Sequence, residues 1–211
     1  MSDGQKRVFT DDGKAVQPVI IIDRDGDLIK FDNMTGALTG IDYAHHEIHG
    51  GSMFYVMYSV ASLGAMGTPD DMITLNFKTP NTLKHAHFTF KVEGTAGWRV
   101  RLIEAYSGGA TSPTGQLAIL NHNRNSDKTS TLTDGSTANQ VDYDAILATG
   151  GVTLWDEYLG GSGGPHAGGS GTSARNEIIL KQNTEYQISL YGTDTDPATI
   201  MIDWYEHTTP S

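Results

Sequence analysis

The sequence predicts an all-β protein: an antiparallel β-sandwich of jelly-roll type, preceded by an extended N-terminal arm that contains a β-hairpin. Three observations predict it. Apolar and polar residues alternate with period two in several separate segments, the pattern of strands with one buried face. These segments are short and are separated by turn clusters such as TPN, SGG and TDG. The composition includes 25 Gly, 24 Thr and 14 Ser among 211 residues. Thr is stiff at χ1 and Gly loses the most backbone entropy in a helix, so both favour strands punctuated by turns. With 37% apolar residues, three Trp, nine Tyr and six Phe, the chain has enough to build a core.

The elements follow in chain order. Residues 1–43 form the arm. Residues 1–17 are polar and read as a poorly ordered tail with a turn signal at Asp11–Gly13. Residues 18–31, PVIIIDRDGDLIKF, read as a hairpin: Val19 to Ile22, an Asp25-Gly26 turn, and a return from Leu28 to Phe31. A lone hairpin is marginal in water, so it must pack on something. Residues 32–43 read as a linker. The sandwich domain spans 44–211. Its clearest strand places Ala86, Phe88, Phe90 and Val92 on one face and His85, His87, Thr89 and Lys91 on the other. Trp98, Val100 and Leu102 alternate with Arg99 and Arg101. Tyr186, Ile188 and Leu190 alternate with Gln187 and Ser189. Ile200, Ile202 and Trp204 alternate with Met201, Asp203 and Tyr205. Further strands are expected at 52–60, 70–78, 116–121, 128–133, 152–158 and 176–181. A two-turn helix is the reading for Gln140–Leu147. GGSGGPHAGGSG, residues 160–171, reads as a flexible loop.

Several functions are excluded. The chain has no Cys, hence no disulfide framework, iron–sulfur ligand or thiol nucleophile. No apolar run approaches the roughly 18–20 residues that span a bilayer, and the first residues show no secretory h-region. With 14 basic against 25 acidic side chains the net charge is −11, which opposes sequence-independent nucleic-acid binding. The one G-x-S-x-G match, GGSGG at 160–164, is part of the glycine-rich run and reads as loop, not as a strand-to-helix nucleophile elbow, and the chain has no S-x-x-K signature. No cofactor is expected. HHEIH (45–49) invites a metal reading: in a strand, His45, Glu47 and His49 would share a face. Its spacing misses the H-E-x-x-H helix motif, and Gly50-Gly51 argue against a helix, so a polar face or a hydrogen-bonded cluster is the preferred reading and no metal is expected. DRDGD (23–27) has its Gly at the wrong position for a calcium loop and reads as a turn. NHNRNS (121–126) also reads as a turn, with Arg124 free to meet a carboxylate at an interface. DWYEH (203–207) is core plus rim, or an interface anchor.

Taken in order, HHEIHGG, ITLNFKTPNTLKHAHFTFKV (73–92), NHNRNS, NEIILKQNTEYQISL (176–190) and DWYEH resemble a family of small structural proteins of tailed bacteriophages. The resemblance covers about residues 44–207, and the 18–31 segment resembles the D-x-x-G-x hairpins at the starts of phage virion proteins. It implies a non-enzymatic decoration or cement protein on the outer capsid surface of the virion, made in the host cytoplasm. The implied partners are the major capsid protein and further copies of itself in a homotrimer, with neither nucleic acid nor membrane. Ile20, Ile22, Leu28 and Phe31 of the hairpin are then the candidate partner contacts. Two rivals stand beside this. One is a carbohydrate- or receptor-binding sandwich on a phage head or tail fibre, stacking sugars on Trp155, Tyr158, Trp204 and Tyr205. The other is a metal-dependent enzyme using His45, Glu47 and His49. From Gln182 to Ser211 there are five acidic residues and no Lys or Arg, so a partner of that end would have to be basic.

Overall fold

Two units make up the chain, Met1–Asp42 and Tyr43–Ser211. The computed structural model describes residues 8–9, 15–16, 43–61, 73–82, 84–94, 98–159, 166–169, 177–192 and 197–208. In the first unit β1 (Val8–Phe9) pairs antiparallel with β2 (Ala15–Val16), Val8 opposite Val16. Residues 1–17 are therefore not simply a tail; a short ladder brackets the Asp11–Gly13 turn signal. The hairpin expected at 18–31 lies outside the described residues. So do Ile20, Ile22, Leu28 and Phe31.

The second unit opens with helix α1 (Tyr43–Gly50) and continues in strands: β3 (Met53–Val60), β4 (Ile73–Lys78), β5 (Lys84–Gly94), β6 (Trp98–Glu104), β7 (Gly115–Ala118), β8 (Leu120–Asn121), β9 (Gln140–Tyr143), β10 (Val152–Leu159), β11 (His166–Gly169), β12 (Ile178–Ile179), β13 (Glu185–Gly192) and β14 (Ala198–Thr208). They form two antiparallel sheets. Sheet I has the order β10-β6-β13-β4-β9-β7. Sheet II has the order β11-β5-β14-β3-β8, with β12 also on β5. The protein is an all-β antiparallel sandwich.

The core lies between the sheets. Sheet II contributes Phe54, Val56, Phe88, Phe90, Val92, Ile200, Ile202 and Trp204. Sheet I contributes Ile73, Leu75, Phe77, Trp98, Val100, Leu102, Tyr186, Ile188 and Leu190. Each set is the inward half of a period-two strand. Phe77 joins the two sheets, its ring 5.3 Å from Phe88 and 5.6 Å from Tyr186.

Sheet I departs from simple alternation. Its outward residues Thr74, Asn76, Gln187 and Ser189 are all buried. Parts of the long β6–β10 connection lie over Thr74, Asn76 and Gln187 and supply the polar partners that burial demands. Thr74 Oγ1 donates to Ala145 O at 2.9 Å. Gln187 accepts from Ala148 N at 2.6 Å, and its amide donates to Asn76 Oδ1 at 2.8 Å and to Ile146 O at 3.1 Å. Gly109, at φ +74°, lets two segments of this cover pack closely on each other; a Cβ there would sit 3.0 Å from Ala148 Cα.

Four sequence expectations are corrected. Gln140–Leu147 is not a helix: Gln140–Tyr143 is β9, paired with β4 and β7, and 144–147 belongs to the cover. Segment 128–133 is no strand; Thr133 makes isolated bridges to Lys78 and Ala138. HHEIH is helical, within α1. Part of the Gly-rich loop 160–171 is strand, since β11 pairs with β5 along Gly94 to Lys91. An edge strand needs only main-chain hydrogen bonds, which Gly supplies as well as any residue.

Candidate functional site

HHEIHGG, NHNRNS and DWYEH, far apart in the sequence, meet at one place. Gly50 and Gly51 end α1 rather than preventing it. Gly51 sits at φ +70°, the left-handed C′ position, and its N–H returns to Ile48 O at 3.0 Å while Ser52 N bonds Glu47 O at 2.9 Å. The remaining carbonyls of the helix end are capped by side chains of the 121–128 turn. Asn123 Nδ2 donates to His49 O at 3.1 Å, Lys128 Nζ to Gly50 O at 2.8 Å, and Asn121 Nδ2 to Gly51 O at 2.9 Å. The cationic Lys128 at a helix C-terminus also complements the helix dipole. The turn is held by its own asparagines: Asn123 N donates to Asn121 Oδ1 at 2.8 Å, and Asn125 N to Asn123 Oδ1 at 3.1 Å. Arg124, at the exposed tip, takes no part in this network.

DWYEH ties the same region to the core. Glu206 is 3% exposed, and its carboxylate accepts from Ser130 Oγ at 2.5 Å, Thr131 N at 2.9 Å, Thr131 Oγ1 at 2.7 Å and Trp204 Nε1 at 3.1 Å. His122 Nε2 meets Asp203 Oδ1 at 2.7 Å, and its ring lies 4.6 Å from Tyr55. On the outer face of sheet II the His87 ring sits between Tyr205, at 4.5 Å, and His207, at 4.4 Å. Its Nδ1 pairs with Glu177, which also accepts the Tyr205 hydroxyl at 2.9 Å. HHEIHGG, NHNRNS and DWYEH are thus one hydrogen-bonded block, with His87 and Glu177 from the other two segments beside it.

The proposed metal triad does not form. Residues two apart on an α-helix lie about 200° apart around its axis, so Glu47 cannot share a face with His45 or His49. Glu47 is 8% exposed and sits 3.7 Å from His46 Nδ1. Among the described residues no group of three His, Asp or Glu is placed to hold a metal ion.

The sugar-platform residues fare unequally. Trp204 is 1% exposed in the core and Tyr205 is 9% exposed. Trp155 packs edge-on against Phe90 at 5.5 Å. Tyr158 is 74% exposed, its ring over the Arg99 guanidinium at 4.6 Å. Arg99 Nε donates to Asp156 Oδ1 at 2.5 Å and its Nη2 to the other oxygen, a bidentate pair that holds the Asp156 carboxyl below the usual carboxylate range.

Two buried carboxylates went unnoticed in the sequence. One more step inward from Ile200, Ile202 and Trp204 is Glu206. One more step from Trp98, Val100 and Leu102 is Glu104, which is 5% exposed. Glu104 accepts from Lys181 Nζ at 2.5 Å and from Tyr186 OH at 2.9 Å; burial and that carboxylate raise the Tyr186 phenol above its ordinary range. Extending the alternation by one position would have found both.

Among the described residues no helix is long and apolar enough to cross a membrane. No protein-family model matches the chain, and neither a curated protein nor a solved structure is significantly similar to it.

Proposed function

We propose that this chain is a non-enzymatic structural protein of a tailed-phage virion that binds the outer capsid surface as a trimer and stabilises the head. The observation that carries the reading is the convergence of its resemblance motifs. HHEIHGG, NHNRNS and DWYEH are far apart in sequence, yet their polar side chains bond mainly to one another and to the backbone. Residues joined in that way hold a fixed shape, which suits a docking surface better than turnover.

Strand order supports the reading by analogy. The neighbours β3-β14-β5-β11 and β4-β13-β6-β10 follow the interleaved order of a jelly roll, an architecture used by viral capsid and lectin domains. Fold alone does not assign function, so this remains an analogy. A cement protein works by adding contact area across subunit joints, and a sandwich held in a fixed shape supplies a surface for that. Self-association in a closed ring would cover strand edges such as β7 and β8.

The test is to image purified virions and to sediment the isolated protein. Copies of the sandwich on the capsid exterior, and a solution mass three times the 22.7 kDa chain, are expected. Absence from intact particles overturns the placement; a monomer both in solution and on the capsid overturns the trimer.

A further inference from the structure

Outside the motif block, the outer face of sheet I along β10, β6 and β13 carries a second cluster. Cross-strand register sets it out in two rows. Tyr158 on β10 is opposite Arg99 on β6, which is opposite Tyr191 on β13. Asp156 is opposite Arg101, which is opposite Ser189. Three strands at a spacing of about 4.8 Å make a patch roughly 10 Å across.

A cross-strand ion pair accounts for part of it. Arg99 and Asp156 stabilise the sheet as opposite charges do. It does not account for the rest. Arg101 approaches Asp156 only to 4.0 Å, and its buried Nε has no hydrogen-bond partner. Ser189 Oγ and Tyr191 OH are likewise buried without one. Native domains hold few such groups, and each calls for an explanation. Above them Tyr158 presents an aromatic face to solvent, its other face fixed by the clamped Arg99. Two guanidinium groups against one carboxylate leave a local positive charge on a chain whose net charge is −11.

These parts match one ligand chemistry. An aromatic face stacks the C–H face of a sugar ring. A guanidinium with free donors takes a carboxylate. A nucleic-acid strand would need a basic track, and a bare inorganic anion would make no use of Tyr158. We propose that Tyr158 and Arg101 bind a carboxylate-bearing pyranose, the uronic or sialic acid unit of a surface polysaccharide. The site does not depend on capsid attachment and stands or falls separately from it.

The experiment titrates the full-length protein against oligogalacturonate and sialyllactose, each beside its uncharged counterpart, carboxyl-reduced oligogalacturonate and lactose. Binding to at least one acidic probe is expected, at least about tenfold tighter than to its counterpart. The acidic probe that binds identifies the source. Tyr158→Ala and Arg101→Gln should each weaken it about tenfold, roughly one aromatic or ionic contact. Met57→Ala, at an exposed position on sheet II, should leave it unchanged. Tyr158 is exposed, so its variant tests binding without unfolding the core. No binding to either acidic probe, equal binding of charged and uncharged probes, or full affinity in Tyr158→Ala or Arg101→Gln overturns the proposal.

Discussion

Replacing Glu206 by Ala should be among the most damaging single changes in the protein. Its carboxylate is the acceptor for four donors: the Ser130 and Thr131 hydroxyls, the Thr131 amide and the Trp204 indole. Ser130 is 4% exposed and Trp204 1%, so water cannot readily replace the lost acceptor there. A hydrogen bond to a charged group is worth about 1.5–3 kcal/mol, and a buried group left unpaired costs about 1–3 kcal/mol. Ser130 Oγ and Trp204 Nε1 retain a mutual contact at 3.3 Å, and half-buried Thr131 can turn to water, so the four losses do not simply add. A cost of about 3–5 kcal/mol follows. Glu206→Gln keeps the shape and one acceptor oxygen but turns an amide N–H₂ toward a donor, for about 1–2 kcal/mol. Urea unfolding followed by tryptophan fluorescence measures both, with Trp204 inside the perturbed site. A loss below about 1 kcal/mol for the Ala variant, or a Gln variant worse than Ala, would refute the claim that this carboxylate organises the donors around it.

Three further outcomes are expected. Gly51→Ala should destabilise the fold by about 1–2 kcal/mol for the left-handed φ alone, plus an overlap with Ser126, whose Cβ would lie 2.7 Å away; Ser126→Gly should remove only the second part in a double-mutant cycle read by thermal unfolding. Asn121→Asp should cost about 2–3 kcal/mol, because its amide donates to Gly51 O and Lys128 O and an acid would face two carbonyls; faster amide exchange across 121–128 is the readout. Asp156 is held low by Arg99, so its contribution to stability is complete above the unfolded value of about 3.9 and is lost as pH falls through its lower folded value. Acid titration of Asp156→Asn should therefore lack that part of the stability loss below about pH 4, while matching the shape of the wild-type profile near neutrality.

Period-two alternation made the core legible. Phe88, Trp98, Ile188 and Ile202 all face inward because a strand has only two faces. Alternation cannot tell whether an outward face meets water or a further layer. Gln187 looks solvent-facing in sequence, and only the fold of the 105–151 connection buries it. The helix α1 was hidden for a different reason. Gly50-Gly51 read as helix breakers in the sequence, whereas a glycine at the left-handed position is how helices stop. The candidate site was readable as separate motifs but not as a unit. Contacts such as Asn123 to His49 span 74 residues, and no local pattern encodes them. Tyr158 differs from Trp155 and Trp204 only in where its strand points it, which one irregularity in register between Thr153 and Trp155 helps set.

The clamp at the end of α1 also has a mechanical meaning. Tension arriving along the chain at Tyr43 reaches the sandwich through a helix whose last carbonyls are pinned to the 121–128 turn, and then through β3. That strand is bonded to β14 along its length and to β8 near its start. Pulling along it loads its ladder bonds in shear, many at once, instead of peeling them one by one from an edge. A tether joined at this point can be strained hard before the sandwich yields.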